Sequence, residues 1–405
     1  MNVLFVHQNF PGQYVHLARR LAADSGNRVV FITQRKDAEL PGVTKLVYKP
    51  ARAVTPGIHH YLRDTESGIL NAQAVARLAI DLKKSGFIPD VILAHNGWGE
   101  LWYLKDVFPQ SPLLGYFEFF YKAVGADVGF DPAVALTLDR FPRVRSQNIG
   151  NLLGLDAVDA GQCPTQWQKS LYPPRYHSML TVAHEGIDTS IVVPNAAASF
   201  SVPDTDLVLT REHEVLTYVA RNLEPYRGFP QFMRSLPEVL DRRPTAHVLI
   251  VGGDETSYGP GLAGGQTFRQ RMRDELGSAP DWSRVHFLGK VPYSTFLRVL
   301  QVSRAHVYLT YPFVLSWSML EAMAAGCVVV GSRTAPVEEV IRDGENGLLV
   351  DFFSPDEIAG RVVDVLTDPC AYDGIRAAAR RSVVERYDLK TVCLPAQLAM
   401  VEQLR

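Results

Sequence analysis

Residues 310–332 read TYPFVLSWSMLEAMAAGCVVVGS, and the change of period inside them decides the fold. Tyr311-Pro312 closes one strand, a helix starts near Ser316–Ser318, and Val328-Val329-Val330 begins the next strand. A strand, a helix and a second strand in so short a span make one βαβ unit of a parallel sheet. Glu321 lies within that helix among small and apolar residues, where a carboxylate without a partner is expensive to bury.

The same rhythm extends in both directions. Towards the N-terminus, Val3–Val6, Arg28–Ile32, Val91–Ala94 and Pro112–Phe117 read as buried strands, with helices such as Gly12–Ala23 and Asn71–Ser85 between them. Residues 195–210, NAAASFSVPDTDLVLT, are small and polar and read as a linker. Beyond them the rhythm restarts, with strands expected at Val215–Ala220, Ala246–Val251, Val285–Leu288, His306–Leu309 and Val328–Gly331. Helices are expected at Gly228–Leu240 and Tyr293–Val302, and Ser354-Pro355-Asp356-Glu357 signals a capped helix start. Asn346-Gly347 reads as a turn into a short strand. The expectation is an α/β chain of two doubly wound domains, 1–194 and 211–385, with a helix near 386–405 packing back on the first. Ligands of such sheets sit beyond the carboxyl ends of the strands, so two facing edges would make a cleft.

With 405 residues the chain exceeds one ordinary core. Its 47% hydrophobic and 21% charged residues describe a globular protein. A net charge of −2 gives no support to nucleic-acid binding. Cys163, Cys327, Cys370 and Cys393 lack the spacing of a zinc site or a disulfide framework. The N-terminus, MNVLFVHQNF, has no basic leader, and no run reaches the ~20 apolar residues of a membrane span. The expected location is the cytoplasm, with at most peripheral contact to the inner face of the membrane. Over residues 1–190 there are 19 basic and 17 acidic side chains, too even a balance to argue for an anionic surface.

Three strand ends carry residues suited to anion chemistry. Gly12 and Gln13 follow the first strand, where a glycine and a helix N-terminus can approach a phosphate; a plain turn is the other reading. Arg221 and Arg227 flank the turn before Gly228, and their forked donors suit a diphosphate unless they are simple surface arginines. The first-turn amides of Ser316, Trp317 and Ser318 can hold phosphate oxygens. Glu321, further along that helix, suits a ribose diol, or alternatively an ion pair with an arginine. Asp204-Thr205-Asp206 reads as a solvated loop, not a metal motif.

Together these residues resemble the retaining GT-B glycosyltransferases of family 4, whose members use nucleotide-sugar donors. The resemblance rests on Arg221/Arg227-Gly228, VGGD at 251–254, HFLGKV at 286–291, LEAMAAGCVVVGS at 320–332 and APVEEVIRDGENGLLV at 335–350. HEGIDT at 184–189 is similar to the segment closing the family's first domain. The resemblance implies that Arg221 and Arg227 hold the donor diphosphate and stabilise it as it leaves. It implies that Ser316, Trp317 and Ser318 complete the phosphate site and that Glu321 binds the ribose. Gly252, Lys290 and Val291 then fall on the donor side, the last two meeting the base through their main chain, and Gly12 approaches from the first domain.

Two positions depart from the family. Phe313 stands where the first acid of the E-x7-E motif contacts the transferred sugar. Glu118, in GYFEFFY at 115–121, stands where relatives carry a histidine facing the reacting sugar; it contacts the sugar or its developing charge, or else pairs with Lys122 or Arg140–Arg145. His95, Phe119 and Tyr121 are acceptor-side candidates, although His95 equally suits a turn and the aromatic run Phe117–Tyr121 equally suits a core. The implied reaction moves a sugar from a nucleoside diphosphate to the hydroxyl of a carbohydrate, lipid-linked or small-molecule acceptor. It retains anomeric configuration and needs neither metal nor cofactor. Alternatives on the same fold are a nucleotide-sugar-binding protein without turnover, and an epimerase or phosphorylase.

Overall fold

Seven apolar runs pair side by side in the first unit of the chain: β1 (Asn2–Val6), β2 (Arg28–Thr33), β3 (Val43–Val47), β4 (Val91–His95), β5 (Leu113–Tyr116), β6 (Ala160–Cys163) and β7 (Leu180–Val182). The computed structural model that defines them describes residues 1–135 and 137–405. Their order is β3-β2-β1-β4-β5-β6-β7, and every pairing is parallel. Val3–Val6 and Val91–Ala94 are wholly buried, as parallel strands covered on both faces must be. The chain runs outward one way from β1 and the other way from β4, so the gap between their carboxyl ends is this sheet's switch point.

The second unit repeats the plan with β10 (Val215–Asn222), β11 (His247–Gly253), β12 (Val285–Gly289), β13 (Ala305–Tyr308), β14 (Val328–Ser332) and β15 (Leu348–Val350). They lie in the order β12-β11-β10-β13-β14-β15, all parallel, with the switch point between β10 and β13. Gly228, at φ +67°, turns the chain from β10 into the helix Phe229–Arg242. A Cβ there would lie 2.4 Å from that of Leu309, so only glycine fits the turn.

The domain boundaries fall elsewhere than the composition suggested. One unit comprises Met1–Gly186 with Leu389–Arg405, and the other Ile187–Asp388. The residues 195–210 form no linker. They make an antiparallel hairpin, β8 (Ser199–Ser201) with β9 (Val208–Thr210), whose Phe200 and Leu209 join Val215, Leu249 and Val302 in the second unit's core. Alternation of small polar residues with Phe200, Val202 and Leu209 is a half-buried strand pattern hidden by a low hydrophobic count. Asp204 and Asp206 sit exposed in its turn. In the first unit, Met400 and Val401 of the helix Leu394–Gln403 pack with Leu17, Ala18 and Leu21.

Smaller corrections follow from the same physics. The helix expected over 71–85 runs Arg63–Lys84, and Gly12–Ala23 divides into a 3-10 turn, Gly12–Tyr14, and a helix, Val15–Ala22. Ser354 caps its helix by accepting from the Glu357 amide at 3.2 Å, but the Glu357 carboxylate reaches the amide of Asp351, not that of the cap.

Candidate active site

In the second unit, chemistry gathers at the β10/β13 switch point around Arg227. Its guanidinium is buried and donates through Nη1 to Thr310 Oγ1 at 2.8 Å, Val314 O at 2.9 Å and Tyr308 Oη at 3.3 Å. Among the described residues it has no carboxylate partner. Instead its carbon lies 5.3 Å from the Tyr258 ring centre and 5.9 Å from that of Phe313. Tyr226 completes the aromatic wall, 5.4 Å from Phe313 edge-on and 4.7 Å from Tyr311. A buried cation held by neutral groups is costly unless an anion arrives from outside.

Glu224 builds the rest of this wall. Its buried carboxylate accepts from the amides of Ser257 at 3.1 Å, Tyr258 at 3.0 Å and Gly259 at 3.4 Å. Three donors on one carboxylate fix the loop that carries the Tyr258 ring over Arg227.

Glu321 lies in the helix Trp317–Ala324 and is 8% exposed. Tyr293 Oη donates to its Oε1 at 2.7 Å, and no arginine pairs with it among the described residues. Burial pushes its carboxyl up to about 7, against the opposing hydrogen bond from Tyr293. This is a carboxylate with most of its acceptor capacity unspent, as a diol ligand would require.

Other donor-side expectations are modified. The amides of Ser316 and Ser318 are engaged within the protein, the first with Tyr308 Oη at 2.8 Å and the second with its own cap, Ser316 Oγ, at 3.3 Å. A capped N-terminus has spent those donors, so they do not stand open. Trp317 packs partly against the core. Arg221 and Arg227 are not an equivalent pair. Arg221 is exposed near the end of β10, without an ion pair among the described residues. Gly252 is the next-to-last residue of β11, Lys290 forms an ion pair with Glu255, and Val291 is half-buried against the core.

In the first unit the β1/β4 switch point holds a second polar cluster. His7 follows β1 and His95 ends β4, with ring centres 4.5 Å apart. The Asn9 amide donates to His7 Nδ1 at 2.9 Å and the Gly97 amide to His95 Nδ1 at 2.8 Å. Both rings therefore carry their proton on Nε2. Burial lowers His7 to about 4 despite its bond to Gln13, and burial with the neighbouring His7 lowers His95 well below the ordinary range. His7 Nε2 meets Gln13 Oε1 at 2.6 Å, and Gln13 Nε2 donates to Glu118 Oε1 at 3.1 Å. His95 Nε2 lies 3.8 Å from Glu118 Oε2. The result is a carboxylate, 31% exposed, held by the Gln13 amide, with a neutral imidazole nearby but beyond hydrogen-bond distance. Gly12, at φ +56°, is required here because a Cβ would come within 2.7 Å of the His7 ring.

The aromatic run after β5 is core. Phe117, Phe119 and Phe120 are buried, Phe119 against Tyr121 and Trp167, and Phe120 against Tyr172. Phe119 is therefore not open to an acceptor, whereas Tyr121 remains half-buried. Sequence reading missed His7, Glu224, Tyr258 and Tyr293. Tyr293 alone had a local signal, its place one residue past Pro292 at a helix start. Among the described residues no three His, Cys, Asp or Glu side chains gather as metal ligands, and no helix is long and apolar enough to cross a membrane.

Two parallel sheets of this order, each with polar groups at its switch point, have the α/β architecture of the GT-B type. Family models agree: residues 25–192 match the glycosyl transferase family 4 group, and residues 206–382 match glycosyl transferases group 1. The chain belongs to this family. Among similar proteins, the phosphatidyl-myo-inositol mannosyltransferase of Mycolicibacterium smegmatis is 29% identical over 210 residues, covering 50% of this chain and 49% of that one. A D-inositol 3-phosphate glycosyltransferase of Corynebacterium glutamicum is 27% identical over 191 residues, 47% of this chain and 44% of that one. The chain thus spans about half the length of the curated relatives it matches. Anabaena HepE in complex with UDP and glucose superposes with a TM-score of 0.70 at 16% identity, covering 100% of this chain and 99% of that one. Sucrose-phosphate synthase of Thermosynechococcus elongatus gives 0.72 at 16% identity, covering 100% and 98%. At such identities these two establish the fold alone.

Proposed function

We propose that the protein transfers a sugar from a nucleoside-diphosphate sugar to an acceptor hydroxyl, with retention at the anomeric carbon and without a metal. Glycan, glycolipid or other glycoconjugate synthesis is the setting. The buried Arg227, which no carboxylate among the described residues neutralises, is the observation that carries this reading. Its guanidinium, joined by Arg221, stabilises the diphosphate as the C1–O bond breaks, the kind of preorganised charge that lowers barriers most. The acceptor oxygen forms the new bond to C1, and its proton passes to an oxygen of the departing diphosphate. Glu321 receives the ribose diol. To Glu118, held by Gln13, falls the stabilisation of the positive charge that develops on the sugar. Relatives named as mannosyl- and inositol-phosphate glycosyltransferases support the reaction class, and a neighbour solved with UDP supports the donor class.

A binder without turnover is the second reading, and Phe313 in place of an acid favours it. Thermal shift with a panel of UDP- and GDP-sugars, followed by product analysis, separates the two. A ligand at a hundred times its Kd should stabilise the protein by about 2.7 kcal/mol. Arg227→Met should abolish that shift, and turnover with it. A shift without product supports the binder, and a shift surviving Arg227→Met overturns the site. EDTA should leave turnover intact; its loss would overturn the metal-free mechanism.

A further inference from the structure

The segments that border Arg227 surround it with rings. Tyr226 precedes it, Tyr311 and Phe313 follow β13, and Tyr258 stands on the loop after β11. Phe313 lies 5.4 Å from Tyr226, edge-on, and 5.0 Å from Tyr258, so the three rings form a corner. The buried Tyr311 backs it, stacked on Tyr226 at 4.7 Å. The corner is not core: Phe313 and Tyr226 are half-buried, and Tyr258 is 37% exposed. A cluster of aromatic rings left partly open beside a buried cation is a surface built for a ligand.

The polar groups around the same cation are committed elsewhere. Thr310, Tyr308 and the Val314 carbonyl accept from Arg227, the Ser316 amide donates to Tyr308, and Glu224 holds three amides. With Glu321 on the ribose and Arg227 on the diphosphate, the reading on which this inference rests, the sugar is bonded directly to the group that Arg227 holds. It therefore falls within reach of the corner. A hydroxyl pushed among ring faces gives up water without a replacement partner, whereas a methyl group gains by leaving water. In a hexose the exocyclic C6 projects furthest from the ring, and removing its oxygen turns a hydroxymethyl into a methyl. An acetamido group also ends in a methyl, but it brings an N–H and a carbonyl whose partners ring faces do not supply.

We propose that the transferred sugar is a 6-deoxyhexose, its methyl group seated in the corner of Tyr226, Tyr258 and Phe313. Calorimetric titration of the full chain compares UDP-glucose, GDP-mannose and dTDP-glucose, each with the same donor lacking only its 6-hydroxyl. For the base that the protein accepts, the 6-deoxy donor should bind about tenfold tighter or more, the scale on which one hydroxyl is discriminated in an apolar pocket. Phe313→Gln should bring that ratio to about one, as the ring face gives way to a hydrogen-bonding amide. Phe313→Leu, which keeps the corner apolar, should preserve its direction. General damage to the site cancels in the ratio, because both donors carry the same nucleotide. Equal or tighter binding of the hydroxylated donor by the unaltered protein overturns the proposal, as does a preference that Phe313→Gln leaves intact. Donors that bind without distinction, and lose affinity in Arg227→Met, sink the methyl site and leave the diphosphate site standing. No Arg227-dependent binding of any donor sinks both.

Discussion

Tyr293 donates its phenol to Glu321 at 2.7 Å, so the acid proposed to hold the ribose is oriented before any ligand arrives. Burial holds that carboxyl at about 7, half-protonated near neutrality. A diol donates hydrogen bonds to the ionised form, so nucleotide-sugar affinity should rise as pH climbs through about 7 and then level off. Glu321→Gln should weaken binding by about 10- to 100-fold, the loss of charge-assisted bonds, and flatten the pH dependence. Calorimetric titration of a nucleotide sugar across that range provides the check. An unchanged slope in the variant would remove Glu321 from the site.

Glu224 should act through the loop it holds. Glu224→Gln exchanges a charged acceptor for a neutral one beneath the amides of Ser257, Tyr258 and Gly259. Their hydrogen exchange should quicken by about tenfold or more. Donor KM should rise with a smaller change in kcat. Equal protection in both proteins would show that the loop is fixed by other contacts.

Gln13 and Glu118 should separate binding from turnover. Glu118→Gln should lower kcat by about 10²-fold or more while leaving nucleoside-diphosphate affinity near wild type, since the lost interaction is with the reacting sugar. Gln13→Leu, which removes the donor to Glu118 Oε1, should shift kcat the same way by less. Steady-state kinetics beside nucleotide titration measures both, and an effect confined to KM would place Glu118 outside the chemistry.

Stability against pH should reveal two opposing groups in the first unit. His7 falls to about 4 from an ordinary 6.5, so its stabilising neutrality is present above 6.5 and is lost as pH falls through 4. Glu100, hydrogen-bonded by Tyr48 at 2.7 Å, is raised by burial to about 7, so its contribution is present below 4.5 and is lost as pH rises through 7. Each amounts to about 3 kcal/mol, and the two offset across the shared window. Glu100→Gln should therefore make the urea midpoint climb more steeply between pH 4.5 and 7. A shallower climb would contradict the assignment.

Sheet and helix positions were legible wherever burial imposed an apolar run. The strand at Val91–Ala94 and the helix Tyr293–Val302 stand where periodicity placed them. The strand Val43–Val47 escaped notice because it is an edge strand of half-exposed residues, and 160–163 and 180–182 because they are too short to show a period. In the site, Arg227, Glu321 and the glycine turns carry local signals. Their partners do not: Glu224 meets residues thirty-three positions away, and Gln13 meets Glu118 across 105. Such pairings follow from strand order, which no short window contains. The aromatic run misled for a related reason, since a groove and a core call for the same residues.

The first unit's core is closed by Met400 and Val401, which a ribosome delivers after the entire second unit has been made. During synthesis the face of Leu17, Ala18 and Leu21 must wait uncovered while residues 187–388 emerge and finish their own sheet. The later-encoded half can thus mature first, and the earlier half depends on residues made after it for its final seal.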